Sequence, residues 1–227
     1  MTIAIFGSPY PEHFSKYIQH LIKKLETEHI NLIIEEEFSI FLENNIRFNK
    51  SISTFNSYET LKNKADFLLS IGGDGTLLKA VTYVRESEIP IMGINTGRLG
   101  FISSISADQI DDAITDILKG NYKINERTLL ELSSDKNLFK EKNFALNEVA
   151  VSKKDTSSMI RIDAYVDDEF LNTYWADGLV VSTPTGSTGY SLSCGGPIIM
   201  PGTNNIIITP NAPHNLNVRP IVIDDNS

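Results

Sequence analysis

Between residues 3 and 94, short apolar runs take turns with stretches spaced like helices, and this order constrains the fold more than any other feature of the chain. Ile3, Ala4, Ile5 and Phe6 form a nearly continuous apolar run that stops at Gly7-Ser8-Pro9, as expected of a strand covered on both faces. Phe14, Tyr17, Ile18, Leu21, Ile22 and Leu25 then recur every three or four positions, a single stripe with Lys16, Lys23 and Lys24 outside it, which predicts a helix. Residues 31–38 read as a second strand with Glu35-Glu36-Glu37 as its solvated end. Residues 65–71 and 89–94 read as further strands with a helix over 77–85 between them. That rhythm predicts a parallel sheet covered by helices. Right-handed crossovers gather the loops that follow its strands at one edge, where a ligand is to be sought.

A last helix is expected over 108–119, with Ile110, Ala113, Ile114, Ile117 and Leu118 on one face and Gly120 ending it. The pattern then changes. Ile160, Ile162, Ala164 and Val166 alternate with Arg161, Asp163 and Tyr165, the period of a half-buried strand, and Asp167-Asp168 supplies a turn into a returning strand over 169–174. Residues 129–132, 144–151, 179–181 and 206–208 add strand candidates. The expected architecture is an α/β domain with a Rossmann-like parallel sheet over residues 1–105, followed by a mostly antiparallel, all-β domain over 106–227, α+β overall.

Hydrophobic residues make up 41% of the 227, enough for a sizeable core, and exclude a disordered chain. The formal net charge of −9 argues against adhesion to nucleic acid or an anionic membrane. A phosphate-bearing small molecule remains compatible with it, because a pocket can be made positive locally by backbone N–H groups. The apolar start MTIAIFGSPY is too short for a signal peptide or membrane span, and the single Cys194 cannot form an internal disulfide, so a cytoplasmic location is expected.

Ile71-Gly72-Gly73-Asp74-Gly75-Thr76 sits between an expected strand and an expected helix. Its glycines allow a tight turn and close approach to a ligand, and Thr76 can cap the helix, whose N-terminus attracts phosphate. Asp74 would repel phosphate and needs a separate role; a general base for a hydroxyl attacking phosphorus suits it. The same residues also read as a plain Gly-rich connection. Lys79, one turn after Thr76, reads either as a group reaching back over that loop or as a solvated lysine. Arg98, in the second Gly-containing loop Asn95-Thr96-Gly97-Arg98-Leu99-Gly100, offers a fork of donors to phosphate or is a surface arginine. Between Asp177 and Gly202, the hydroxyls of Ser182, Thr183, Thr185, Ser187 and Thr188 are interleaved with Gly and Pro, suited to ribose, purine and phosphate, and Tyr190 can stack on a base. Asn147-Glu148 interrupts an apolar strand, either as a satisfied polar network or as a ligand site. His13, His20, His29 and His214 are scattered, so no metal-ligand cluster is expected.

GGDGT at 72–76, NE at 147–148, DGLVVSTPTGSTGYSLSCGGP at 177–197 and ITPNAPH at 208–214 together resemble the bacterial-type NAD kinases of the ATP-NAD kinase family. GGDGT alone is shared with diacylglycerol-type lipid kinases; the later motifs are more specific. The resemblance implies transfer of the γ-phosphoryl group of ATP to the 2′-hydroxyl of the adenosine ribose of NAD, with Mg²⁺ or another divalent cation delivered with ATP. It implies that Asp74 is the base, with Gly75 beside it and Lys79 at a basic position. Asn147 and Glu148 would hold the ribose region, and Asp177 would lie near the nicotinamide. Thr188, Gly189, Tyr190, Ser191, Leu192 and Ser193 would wrap the adenylyl part, with Thr185 and Ala212 as further contacts. It implies homodimers or homotetramers with a site shared between the two domains. Gly189 stands where alanine is common in the family, and Asn215 where a hydroxyl residue is usual. The family's chains continue for several strands and a final helix past the position of Ser227, which leaves open that this sequence is a fragment. A non-catalytic NAD(P)-binding regulator and a lipid kinase are the competing readings. Retention of Asp74 speaks against the first, and the hydroxyl-rich segment against the second.

Overall fold

Strand β1 (Thr2–Gly7) lies at the centre of a parallel sheet, and its four inner residues are buried on both faces. A computed structural model describes residues 1–97, 100–103, 105–136, 138–154 and 158–227, arranged as two compact units, Met1–Ile124 and Asn125–Ser227. In the first, β2 (Asn31–Glu35), β3 (Ser53–Phe55), β4 (Phe67–Ile71) and β5 (Ile91–Ile94) complete the order β3-β2-β1-β4-β5. Successive side chains of β1 point to opposite faces. Ile3 and Ile5 join the core with helices α1 (Ser15–Thr27) and α5 (Ile110–Lys119), whereas Ala4 and Phe6 join Leu68, Ala80 and Val84 on the other side. Strand order reverses between β1 and β4, and in open α/β sheets the carboxyl edge at such a reversal is where ligands bind.

Of the acidic run only Glu35 belongs to the strand; Glu36 and Glu37 open a helix. Glu35 closes β2 but is buried, and its Oε2 accepts the N–H of Phe38 at 2.9 Å, which starts helix α2 (Glu36–Glu43). Glu36 and Glu37 lie in the first turn, where the helix dipole favours negative charge. Burial of Phe38 and Leu42, four residues apart, draws the segment into a helix. Glu35→Ala is expected to lower stability by about 1 kcal/mol, as for loss of an N-cap, read as a lower urea midpoint at unchanged m-value. Two short elements escape sequence reading, β3 and the single turn α3 (Tyr58–Leu61), which Ser57 and Thr60 cap reciprocally. Helix α4 (Asp74–Val84) starts three residues earlier than the apolar spacing predicts. Helix α5 ends as expected, with Gly120 left-handed at φ 73°.

The second unit is antiparallel throughout its named strands. β9 (Ile160–Val166) and β10 (Glu169–Ala176) form the expected hairpin, turning through Asp167 and Asp168, both at positive φ. β8 (Glu148–Ser152), β11 (Gly178–Ser182), β12 (Asn205–Asn211) and β13 (Ile221–Asp224) form a sheet in the order β13-β12-β11-β8, and β6 (Leu130–Glu131) pairs with β7 (Phe144–Ala145). Tyr174, Leu179, Ile208 and Val218 form its core under Ile162, Ala164 and Val166 from the hairpin. The α/β unit with a parallel sheet followed by an antiparallel unit is the fold class expected from the pattern. Among the described residues no helix is long and apolar enough to cross a membrane.

Candidate functional site

The Gly-rich segment leaves the carboxyl end of β4 in the first unit. Gly72 has φ +154°, donates its N–H to Ile94 O at 2.9 Å, and leaves no room for a Cβ against Thr76. Gly73 is the N-cap of α4 and supplies no side chain, so Thr76 is not the cap; it lies one turn inside, buried. Its Oγ1 shares a hydrogen bond of 3.0 Å with Ser8 Oγ, tying the loop after β4 to the loop after β1, and Ser8 N–H donates to Ile71 O at 3.0 Å. Gly73 and Gly75 have open space where a side chain would stand.

Asp74 is half-buried in the first turn of α4. Its carboxylate accepts three backbone N–H groups: Phe101 to Oδ2 at 2.8 Å, and Ile102 and Ser103 to Oδ1 at 3.1 and 2.9 Å. These donors come from the chain that follows β5, so two loops of the sheet edge meet on this one acid. Lys79 is exposed one turn further along α4. Arg98 lies outside the described residues.

In the second unit, Asn147 fills the step between β7 and β8, and Glu148 opens β8 opposite Ser182 of β11. Among the described residues Asn147 Oδ1, Glu148 Oε2 and Ser182 Oγ are buried without a hydrogen-bond partner, a concentration of unmet polar groups that is costly in an apolar sheet. Burial pushes the Glu148 carboxyl above the usual carboxylate range, and the backbone N–H of Tyr190 works against that rise. A 3-10 turn over Thr185–Thr188 and the single helical turn α6 (Tyr190–Ser193) close over the pair. A Cβ on Gly189 would stand 2.9 Å from Glu148 Oε2 and 3.6 Å from Asn147 Nδ2, so Asn147, Glu148, Gly189 and Tyr190 do come together. Tyr190 leaves its ring partly exposed while its hydroxyl accepts from Asn211 Nδ2 at 2.7 Å.

The hydroxyl-rich segment divides by task. Thr183 Oγ1 donates to Leu146 O at 2.6 Å and accepts Gly186 N–H at 3.1 Å; Ser187 Oγ both accepts from and donates to the backbone of Ile199. Ser191 is fully buried and bonded to Thr209 Oγ1 at 2.8 Å. These groups hold the turn in shape, whereas Thr188 is half-buried and Leu192 and Ser193 are exposed. Thr185 is buried and accepts from Arg127 Nη1 at 3.3 Å. Asp177 pairs with Lys153 at 2.7 Å. Ala212, just past β12, is exposed at φ 47°. Asn215 takes the N–H of Trp175 at 2.8 Å and donates to Thr173 O at 3.2 Å, pinning the edge of β10. Sequence reasoning missed Arg127, Lys153 and the 101–103 amides. The two cations are far along the chain from their partners, and backbone donors leave no residue-type signal. Among the described residues no three His, Cys, Asp or Glu side chains converge as a metal cluster.

Comparison with known proteins bears on both units. Residues 3–122 match the ATP-NAD kinase N-terminal domain and residues 146–227 the ATP-NAD kinase C-terminal domain. The NAD kinase of Cytophaga hutchinsonii is 50% identical over 227 residues, 100% of this chain and 77% of that protein. The NAD kinase of Christiangramia forsetii is 45% identical over 229 residues, 100% of this chain and 78% of that protein. Among solved structures, an NAD kinase from Archaeoglobus fulgidus in complex with ATP superposes with a TM-score of 0.74 at 28% identity, covering 99% of this chain and 77% of the other. Yeast NADH kinase complexed with NADH shares the fold, with a TM-score of 0.83 at 24% identity over 99% of this chain and 69% of the other. With residues 3–122 and 146–227 matched by the two domains and a relative 50% identical over the whole of this chain, the chain belongs to the ATP-NAD kinase family.

Proposed function

We propose that this NAD kinase works by having Asp74 accept the proton of the 2′-hydroxyl on the adenosine ribose of NAD while that oxygen attacks the γ-phosphorus of ATP. The new bond joins O2′ to phosphorus, the bond from the γ-phosphorus to the β–γ bridging oxygen breaks, and ADP leaves. One observation supports the role most: Asp74 is fixed by three N–H groups beside glycines that leave open space at the carboxyl edge of the parallel sheet. Such chemistry asks mainly for alignment and charge neutralisation. The divalent cation arrives with ATP as part of that substrate. Gly75 and Lys79 flank the reacting end. NAD is held by Asn147 and Glu148 at the ribose, by Asp177 at the nicotinamide end, and by Thr185, Thr188, Gly189, Tyr190, Leu192, Ser193 and Ala212 around the adenylyl part, while Ser191, buried against Thr209, braces that segment from within. The unmet polar atoms of Asn147 and Glu148 support this, since ribose hydroxyls would supply the donors they lack. The protein acts in the cytoplasm as a homodimer or homotetramer, the β-rich unit carrying most of the NAD contacts.

The test is to incubate the purified protein with ATP, Mg²⁺ and NAD and to measure NADP. NADP accumulates with NAD and no phosphorylated product with its 2′-deoxy analogue; a product from the 2′-deoxy analogue would move the reaction to another hydroxyl.

Glu148 gives a second expectation. A carboxyl raised in the folded state binds its proton more tightly there than in the unfolded chain. Its stabilising share is therefore complete below the ordinary value of 4.5 and is lost as pH rises through the folded value. Glu148→Gln removes this titration. Its melting temperature is expected to exceed that of the wild type at pH 7 to 8 and to approach it in acid, while NAD binding weakens. A variant that melts below the wild type at every pH would contradict the origin of the shift in burial.

A further inference from the structure

Asp74 carries the proposed proton transfer, yet most of its carboxylate is already engaged by its own chain. An ionised carboxylate offers about four lone-pair sites. Among the described residues two N–H groups occupy Oδ1 and one occupies Oδ2, so the site they leave open belongs to Oδ2. The donors come from a segment built for close approach. Ser103 is fully buried, packs where a Cβ on Gly93 would come within 2.8 Å of its Cα, and donates through Oγ to Gly72 O at 3.3 Å. The Asn95 amide donates to Ser103 O at 3.3 Å, bracing the same residue from the other side. At Gly100, the three nearest atoms to an added Cβ all belong to the Asp74 carboxylate, with Oδ2 at 2.6 Å.

We infer that Gly100 is a positioning residue: by lacking a side chain it lets the amides of residues 101–103 close on Asp74, which leaves one lone pair of Oδ2 as the acceptor for the substrate hydroxyl. This rests on the reading of Asp74 as the base. A methyl group at position 100 pushes the carboxylate off its three donors and turns the free lone pair away. Because reacting groups tolerate little misplacement, Gly100→Ala is expected to lower kcat about a hundredfold. The KM values for NAD and ATP stay within about twofold, the signature of an interaction made in the transition state alone.

The experiment combines kinetics with a stability cycle on the full chain: wild type, Gly100→Ala, Asp74→Ala and the double variant. Gly100→Ala should lower the melting temperature in the wild-type background and leave it unchanged in the Asp74→Ala background, where the obstructing carboxylate is gone. Amide exchange at 101–103 should accelerate in both single variants. Wild-type kcat in Gly100→Ala, a rise in KM alone, or an equal loss of melting temperature in both backgrounds would overturn the inference, the last by showing that the loop backbone itself needs the glycine. Turnover surviving in Asp74→Ala would instead remove the base while leaving the stability cycle to decide on the amide cage.

Discussion

Asp74→Asn is expected to lower NADP formation about a thousandfold at saturating substrates, within the range for loss of a general base, while NAD and ATP still bind. The change keeps the size of the side chain and removes its ability to take a proton. It also changes the acceptor count. An asparagine whose oxygen faces Ile102 and Ser103 must turn its NH₂ toward the N–H of Phe101, so that donor loses its partner. Phe101 is 77% exposed, so water can replace the lost acceptor and the stability change should stay below about 1 kcal/mol. The expected pattern is therefore a large fall in kcat with near-normal binding and folding, measured by initial rates, equilibrium titration and urea unfolding. Turnover within a few-fold of the wild type would reject Asp74 as the base. Binding lost together with turnover would make it a ligand contact instead.

Gly186→Ala is expected to have the largest effect in the second unit. Gly186 is buried, and a Cβ there would come 2.7 Å from Asn147 Cα and closer still to its carbonyl. The obstruction is backbone, with no flexible side chain to yield. The turn cannot lift away, because Thr183 N–H donates to Asn147 O at 2.9 Å and Thr183 Oγ1 is bonded to both Leu146 O and Gly186 N–H. Overpacking of this kind costs about 1 to 3 kcal/mol, which in a chain of this size lowers the melting temperature by roughly 2 to 4 °C per kcal/mol. Displacement of Asn147 also moves the unmet Oδ1 and its neighbour Glu148 Oε2 away from the turn that faces them. The KM for NAD should therefore rise about tenfold, equivalent to 1.4 kcal/mol of binding, with ATP affected less. Gly97→Ala serves as the control, since a Cβ there meets nothing within 4 Å among the described residues. Equal melting temperatures and KM values for the two variants would show that the turn is not braced on Asn147.

How far the sequence anticipates these features depends on how local their cause is. The apolar run 3–6 and the stripe from Phe14 to Leu25 are legible because burial on two faces or one dictates residue type position by position. The period of two over 160–166 locates a hairpin for the same reason. Residues 36–38 and the burial of Glu35 are misread because an acid at the end of a strand and an acid at the start of a helix look alike until the burial of Phe38 and Leu42 is known. β3 and α3 are too short to show a period. At the site, GGDGT marks its own position, but not which atoms hold Asp74. The donors are backbone amides 27 to 29 residues away, which any side chain could carry. The hydroxyls after Asp177 announce an unusual segment without showing that Thr183, Ser187 and Ser191 turn inward to shape it. Arg127 on Thr185, 58 residues apart, is a product of the fold alone.

A crystal structure of the protein with NAD bound tests the central claim most directly. The account predicts that O2′ of the adenosine ribose lies about 2.6–3.2 Å from Asp74 Oδ2, within reach for proton transfer, with Phe101, Ile102 and Ser103 still donating to the carboxylate. An O2′ hydrogen-bonded to a different side chain, with Asp74 out of reach, would contradict it.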